Sequence, residues 1–302
     1  MSLKEYLPQG LLFFKGKPLG NIFPAAFLLT RLAAVAVFLG RAWQHLRWDA
    51  PYRDLLWDEK WMGGIISLFG YSDWESFVTD PATDRAIQLL IQGIGWMYVL
   101  CALAAVFILR LGKPARWIVR VGGVSLVILA ALYTKEKFYF IGQFLEYTLQ
   151  WSTPFFLAAF AAQNSITGRQ VFILKIAAAL TFICHGLYAV GYYSRPELFL
   201  TMVINILGVG NENAMLFLDL AGSLDFVCSV LLFVPWKRVN LISAAYLCFW
   251  GFMTTIARVW AFVHWEFLGS GLEQWLHEST YRFPHFLMPM VLVFYLWQKR
   301  SV

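Results

Sequence analysis

The chain has 302 residues, 60% of them hydrophobic and 14% charged, whereas soluble domains carry about a quarter charged residues. That balance excludes an ordinary soluble domain and defines a membrane protein. A net charge of +6 could suit a nucleic acid, but the basic residues sit in alternate loops, which excludes that reading as well.

A bilayer core of about 30 Å asks for about 20 apolar residues per helix. Met1 to Gly20 is interrupted by Lys4, Glu5, Lys15 and Lys17 and lacks a continuous apolar core, so no cleavable signal peptide is expected and the first span is expected to insert the chain. Apolar runs then follow at Phe23 to Leu46, Ala86 to Leu109, Trp117 to Tyr133, Gln170 to Tyr193, Ala214 to Trp236 and Leu241 to Val263, with shorter ones at Pro154 to Ala162 and Phe283 to Trp297. Together they predict eight helical crossings. All four cysteines, Cys101, Cys184, Cys228 and Cys248, fall within predicted spans, which argues against a disulfide framework and against a zinc site.

Between the first two spans lies a long segment, Arg47 to Arg85, where Trp48, Trp57, Trp61 and Trp74 stand among eight acids. Aromatic residues favour the headgroup region, so the loop is expected to fold back on the outer surface. It would serve there as an anchor or as a docking face for a partner protein. Two other segments, FIGQFLEYTLQW and FLGSGLEQWLHES, mix apolar, aromatic and polar residues in the manner of interfacial helices.

The charges predict orientation. One alternate set of segments holds Lys4, Lys15, Lys17, Arg110, Lys113, Arg116, Arg120, Arg169, Lys237, Arg238, Lys299 and Arg300, twelve basic residues against the single acid Glu5. The opposite set holds eight basic residues and fifteen acids. By the positive-inside rule both termini are expected in the cytoplasm, which requires an even number of spans.

The sequence is also written twice. With a shift of 127 residues, Gly95 falls on Gly222, Cys101 on Cys228, Gly142 on Gly269 and Leu145-Glu146 on Leu272-Glu273; three further residues then place Pro154 on Pro284. The first helix of each half aligns with a shift of 144, setting Arg31 on Lys175, Phe38 on Phe182 and Arg41 on His185. An even number of spans per half makes the repeats parallel, at 1–165 and 166–302, with the long outward loop 47–85 in the first.

The four-helix unit, seen best in LKIAAALTFICHGLYAVG (Leu174 to Gly191) and LDLAGSLDFVCSVLLFVP (Leu218 to Pro235), resembles the DoxX-like family of membrane proteins. The chain looks like a fused pair of such units. That resemblance implies the cell inner (cytoplasmic) membrane, a place beside other membrane or extracytoplasmic subunits of a respiratory or redox complex, and quinone as a possible cofactor. It carries no catalytic residue over to this chain.

Ionisable groups within a span cost about 2.5–3.5 kcal/mol each on insertion scales and normally face protein or a cavity. Arg31 and Lys175 lie near the cytoplasmic ends and can snorkel. Arg41, His185, Asp219 and Arg258 are expected together in the outer half of the bilayer. Asp219 and Ser223 share a helix face, whereas Asp225 points about 120° away. One reading of the four is interhelical glue, with Asp219 holding Arg258 or Arg41. The other is a quinone-headgroup or proton-relay site, with His185 as donor and Asp219 as its partner. No phosphate loop, metal-ligand spacing, haem attachment or nucleophile elbow is present. The leading expectation is therefore an accessory or quinone-proximal membrane subunit with no catalytic constellation or metal of its own. The alternative is a small-molecule or lipid transporter using the cleft between the repeats.

Overall fold

The computed structural model describes residues 23–298; the expectations for Met1 to Gly20, Lys299 and Arg300 lie outside that range. Its elements are α1 (Phe23–Arg47), α2 (Arg53–Leu56), α3 (Glu59–Met62), a 3-10 turn (Ile66–Phe69), α4 (Trp74–Thr79), α5 (Pro81–Val106), α6 (Ile108–Leu111), α7 (Lys113–Glu136), α8 (Ile141–Glu146), α9 (Thr148–Gln163), α10 (Gly168–Ala189), α11 (Glu197–Leu207), α12 (Asn211–Leu231), α13 (Lys237–Phe262), a second 3-10 turn (Trp265–Phe267), α14 (Leu268–Tyr281) and α15 (Pro284–Gln298), with no strand among the described residues.

Six helices among the described residues, α1, α5, α7, α10, α12 and α13, are long and apolar enough to cross a membrane. The chain is thus an all-α, multi-pass membrane protein. With 16 and 15 residues, α9 and α15 fall short of the length an exposed crossing needs.

Local chemistry sets the helix ends. At the start of α5, Pro81 occupies the first turn and the Asp80 side chain accepts from the Ala82 N–H, satisfying a donor that has no partner inside the helix. Thr167 and Gln170 form a reciprocal capping box on α10. Gly208, at φ 65°, stops α11 in a left-handed turn that suits glycine.

Packing is built around α1 and α10. Helix α1 contacts α5, α9, α14 and α15, while α10 contacts α12, α8, α9 and α15. The buried face of α1 is rich in small residues, including Ala26, Ala33, Ala34, Gly40 and Ala42, which let helix backbones approach closely in lipid. On the other side Leu28, Leu32 and Leu39 are exposed, as are Leu89, Trp96 and Leu100 of α5 and Leu216, Leu220 and Leu224 of α12. An exposed apolar surface of this extent is stable only against hydrocarbon or another apolar partner.

The loop between α1 and α5 is ordered by its own small core of Met62, Ile66 and Phe77. Lys135, at the end of α7, pairs with Asp58 at 2.7 Å and donates to the Asp54 carbonyl at 2.6 Å, which ties the loop to the bundle. Trp48, Trp57 and Trp61 remain substantially exposed.

Candidate functional site

A close helix crossing prepares the site. A Cβ on Gly186 of α10 would lie 2.9 Å from the Gly222 carbonyl oxygen of α12, and one on Gly222 would lie 2.9 Å from that of Gly186. Only glycine at both positions allows this approach, because a side chain on either would strike the opposite backbone. The neighbouring His185 thereby reaches Asp225, its Nδ1 standing 3.0 Å from Oδ2. Tyr246 donates to the other carboxylate oxygen at 3.4 Å, and Asp225 is fully buried. An Nδ1–H donated to the carboxylate holds the imidazole in one orientation and leaves Nε2 for other partners.

His185 borders a cavity of about 110 Å³ between α11, α12 and α13. Its walls are apolar, with Phe199 and Val203 from α11, Phe217 from α12, and Trp250 and Met253 from α13. His185, Thr254, Arg258 and Arg282 also border it. Both arginines are buried, 4% and 6% exposed, and the Nε of Arg282 lacks a hydrogen-bond partner. Arg258 Nε forms an ion pair with Glu278 at 2.5 Å, and Arg282 lies a loose 3.9 Å from Glu146. Burial would raise the Glu278 carboxyl, but Arg258 and Arg282 outweigh it and hold the group below its ordinary value. The apolar room thus ends beside two buried cations, Arg258 paired with Glu278 and Arg282 only loosely held.

Arg41 occupies a different setting. It is 1% exposed, donates to Gln44 at 2.8 Å and Gln150 at 2.7 Å, and lies 3.7 Å from the centre of the Tyr281 ring. Tyr133 and Tyr147 complete the cage. No carboxylate pairs with it in the described residues. Neutral amides and π faces carry the cation instead. Gly40 makes room for this, since a Cβ there would sit 2.5 Å from the Tyr281 amide nitrogen. Tyr281 also joins the two polar regions, with Arg282 6.0 Å from the same ring.

The four residues singled out in the sequence therefore divide. His185 and Arg258 meet at the cavity, and Arg41 is close by but enclosed. Asp219 turns away: it pairs with Arg195, and its side chain is 50% exposed. Its expected bonds to His185, Arg258 or Arg41 are made by Asp225, Glu278 and Gln150 in its place. Helix α12 is rotated so that Leu218, Ala221, Gly222 and Asp225 face inward, leaving Asp219 and Ser223 together on the outer face. Glu146, Glu278 and Arg282 stand in α8, α14 and the turn after α14, outside the apolar runs, where a charge carries no mark in the sequence.

Three of the remaining histidines are buried and occupied individually. His45 is buried, its Nδ1 2.7 Å from the Arg41 carbonyl, and His285 stands 3.4 Å from Gln150. His277 stacks on Trp48 with Trp43 tilted against it, and burial pushes its pKa down. Among the described residues no group of three or more His, Cys, Asp or Glu side chains could hold a metal ion.

The site and fold define a class, the polytopic helical membrane proteins with a polar-ended intramembrane cavity. Compared with family models, curated proteins and solved structures, the chain matches none.

Proposed function

We propose that the chain is a ligand-holding subunit of a larger membrane redox assembly, built from two DoxX-like four-helix units at residues 1–165 and 166–302. It sits in the inner membrane with both termini in the cytoplasm, and α9 and α15 complete eight crossings. Both short helices are covered by neighbours rather than lipid, so they need not match the full hydrocarbon thickness. Packing supports the duplication. Gly95 of α5 abuts His45 and Leu46 of α1, while Gly222 of α12 abuts Ala189 and Val190 of α10. The sequence offsets of 127 and 144 pair each of these residues with its counterpart. Reciprocal contacts point the same way: α8 leans on α10, and α14 leans on α1.

One observation carries the ligand reading, namely the apolar cavity ending at His185, Arg258 and Arg282. A lipid-soluble molecule with an oxygen-rich head fits that chemistry, and the family resemblance makes a quinone one candidate. A bound quinone would supply electron and proton transfer. The protein's part would be to bury the tail, to donate from Arg258 and Arg282, and to hold a proton at His185 Nε2 with Asp225 behind it. Transport through the cleft between the halves has less in its favour, because α1 is packed there against α14 and α15.

Purification in mild detergent tests the proposal. Another protein subunit and an extractable lipophilic molecule are expected to accompany the chain, and Met253→Trp, which fills the cavity, is expected to displace the molecule while leaving the assembly intact. A chain that runs alone with nothing extractable would overturn it.

A further inference from the structure

We propose that the cavity takes a single-chain amphiphile with an anionic oxygen head, a carboxylate or phosphate, held between Arg258 and Arg282 with His185 beside it. This rests on the cavity being a ligand site, but it identifies the head by charge and departs from the neutral quinone suggested by resemblance.

Three features of the protein carry it. First, the two guanidinium groups bordering the cavity are buried, and while Arg258 Nε lies against Glu278, Arg282 keeps an Nε–H without a partner, although such donors normally find an acceptor because an unmade buried bond is costly. An anionic oxygen between them supplies the missing acceptor, and arginine matches planar oxyanions well. A quinone carbonyl would accept only a weaker, uncharged bond.

Second, the surrounding charges admit one anion together with its proton. Arg41, Arg258 and Arg282 are buried cations, and Arg41 has no carboxylate of its own. Facing them are Glu278 and Glu146. Asp225 is engaged by His185, and His285 lies on the adjoining helix α15. With His185 neutral, Asp225, Glu146 and Glu278 balance the three arginines, so an anionic head is matched when its proton stays at His185.

Third, His185 gives the acid a way in. An acid in the bilayer travels uncharged, because the ion is poorly soluble there. On arrival the head's O–H bond breaks, the proton moves to His185 Nε2 and the anion stays with the arginines. Asp225, hydrogen-bonded at Nδ1, stabilises the imidazolium. The net charge of the site plus ligand is unchanged by the transfer. Phe199, Val203 and Trp250 line the path of the chain.

The test uses the full-length protein in nanodiscs, with quenching of Trp250 by chain-brominated dodecanoate, dodecyl phosphate and dodecanol. A decyl-substituted benzoquinone is the fourth probe, and Trp250→Phe marks the signal from the cavity. Either anionic probe is expected to bind at least tenfold more tightly than dodecanol. The paired variant R258Q/E278Q removes the ion pair without stranding a charge and is expected to abolish that preference while its thermal unfolding stays cooperative. Should R258Q/E278Q fail to fold, R282Q read by the same ratio replaces it. Equal binding of anionic and neutral probes, or binding of the benzoquinone alone, would overturn the anionic head while leaving the cavity a ligand site. If none of the four quenches Trp250, both proposals fall.

Discussion

Asp219 and Asp225 lie six positions apart on α12 and live in different worlds. Asp225 is fully buried against His185, whereas Asp219 meets Arg195 at a half-exposed position. Removing one partner of a buried polar pair costs about 1–3 kcal/mol, and an exposed ion pair is worth under about 1 kcal/mol. Asp225→Ala is therefore expected to destabilise the protein by about 1–3 kcal/mol, and Asp219→Asn by about 0.5 kcal/mol or less. Unfolding of both variants in one detergent checks this, and equal losses would contradict the assignment of His185 to Asp225. Helical period alone separates the aspartates by about 120°. It does not say which of them faces inward, because α12 is apolar on nearly every side and its rotation is set by the glycine crossing with α10.

That crossing is the next scale up. Gly186→Val would drive a branched side chain into the Gly222 carbonyl, forcing α10 and α12 apart. A loss of about 1–3 kcal/mol is expected from overpacking, together with separation of His185 from Asp225. The second effect distinguishes this variant from a merely strained one: ligand affinity should fall in Gly186→Val far more than in a surface variant of equal stability.

Helix α14 carries a pH dependence of its own. His277 is buried against Trp43 and Trp48, and burial lowers its pKa. A base whose folded pKa is depressed adds stability that is present above the unfolded value, about 6.5, and is lost as pH falls below it. Glu278, Arg41 and Arg258 face it; the first opposes the depression and the two arginines reinforce it. Melting temperature is expected to drop between pH 7 and pH 5 by more in the wild type than in His277→Gln. Identical pH profiles would exclude His277 as the source.

At the scale of the whole molecule, orientation is the testable quantity. Single cysteines placed in the α1/α5 loop, at Lys137 and at Trp265 are expected to react with an impermeant thiol reagent from outside intact cells. A cysteine at Lys113 or Lys237 should react only after permeabilisation. The four native cysteines are all shielded to some degree within helices, so their background should be low. Labelling on the opposite sides would reverse the charge-based orientation.

Much of this architecture could be read from residue order. Length and hydropathy along α1, α5, α7, α10, α12 and α13 mark the membrane helices, because a chain without water must satisfy its backbone internally over a length set by the bilayer. Loop charges predict orientation, and matched glycines and prolines suggest a duplication. The candidate site was legible only in part. His185, Arg41 and Arg258 announce themselves as costly groups in apolar runs, but their partners Asp225, Gln150 and Glu278 do not follow from spacing. Tertiary structure alone decided those pairings, the enclosure of Arg41 by tyrosines of α7, α14 and the α8–α9 junction, and the cavity beside His185. Hydropathy records how much a residue avoids water; which neighbour it finds depends on helix rotation and close approach, and both are settled only when distant segments pack together.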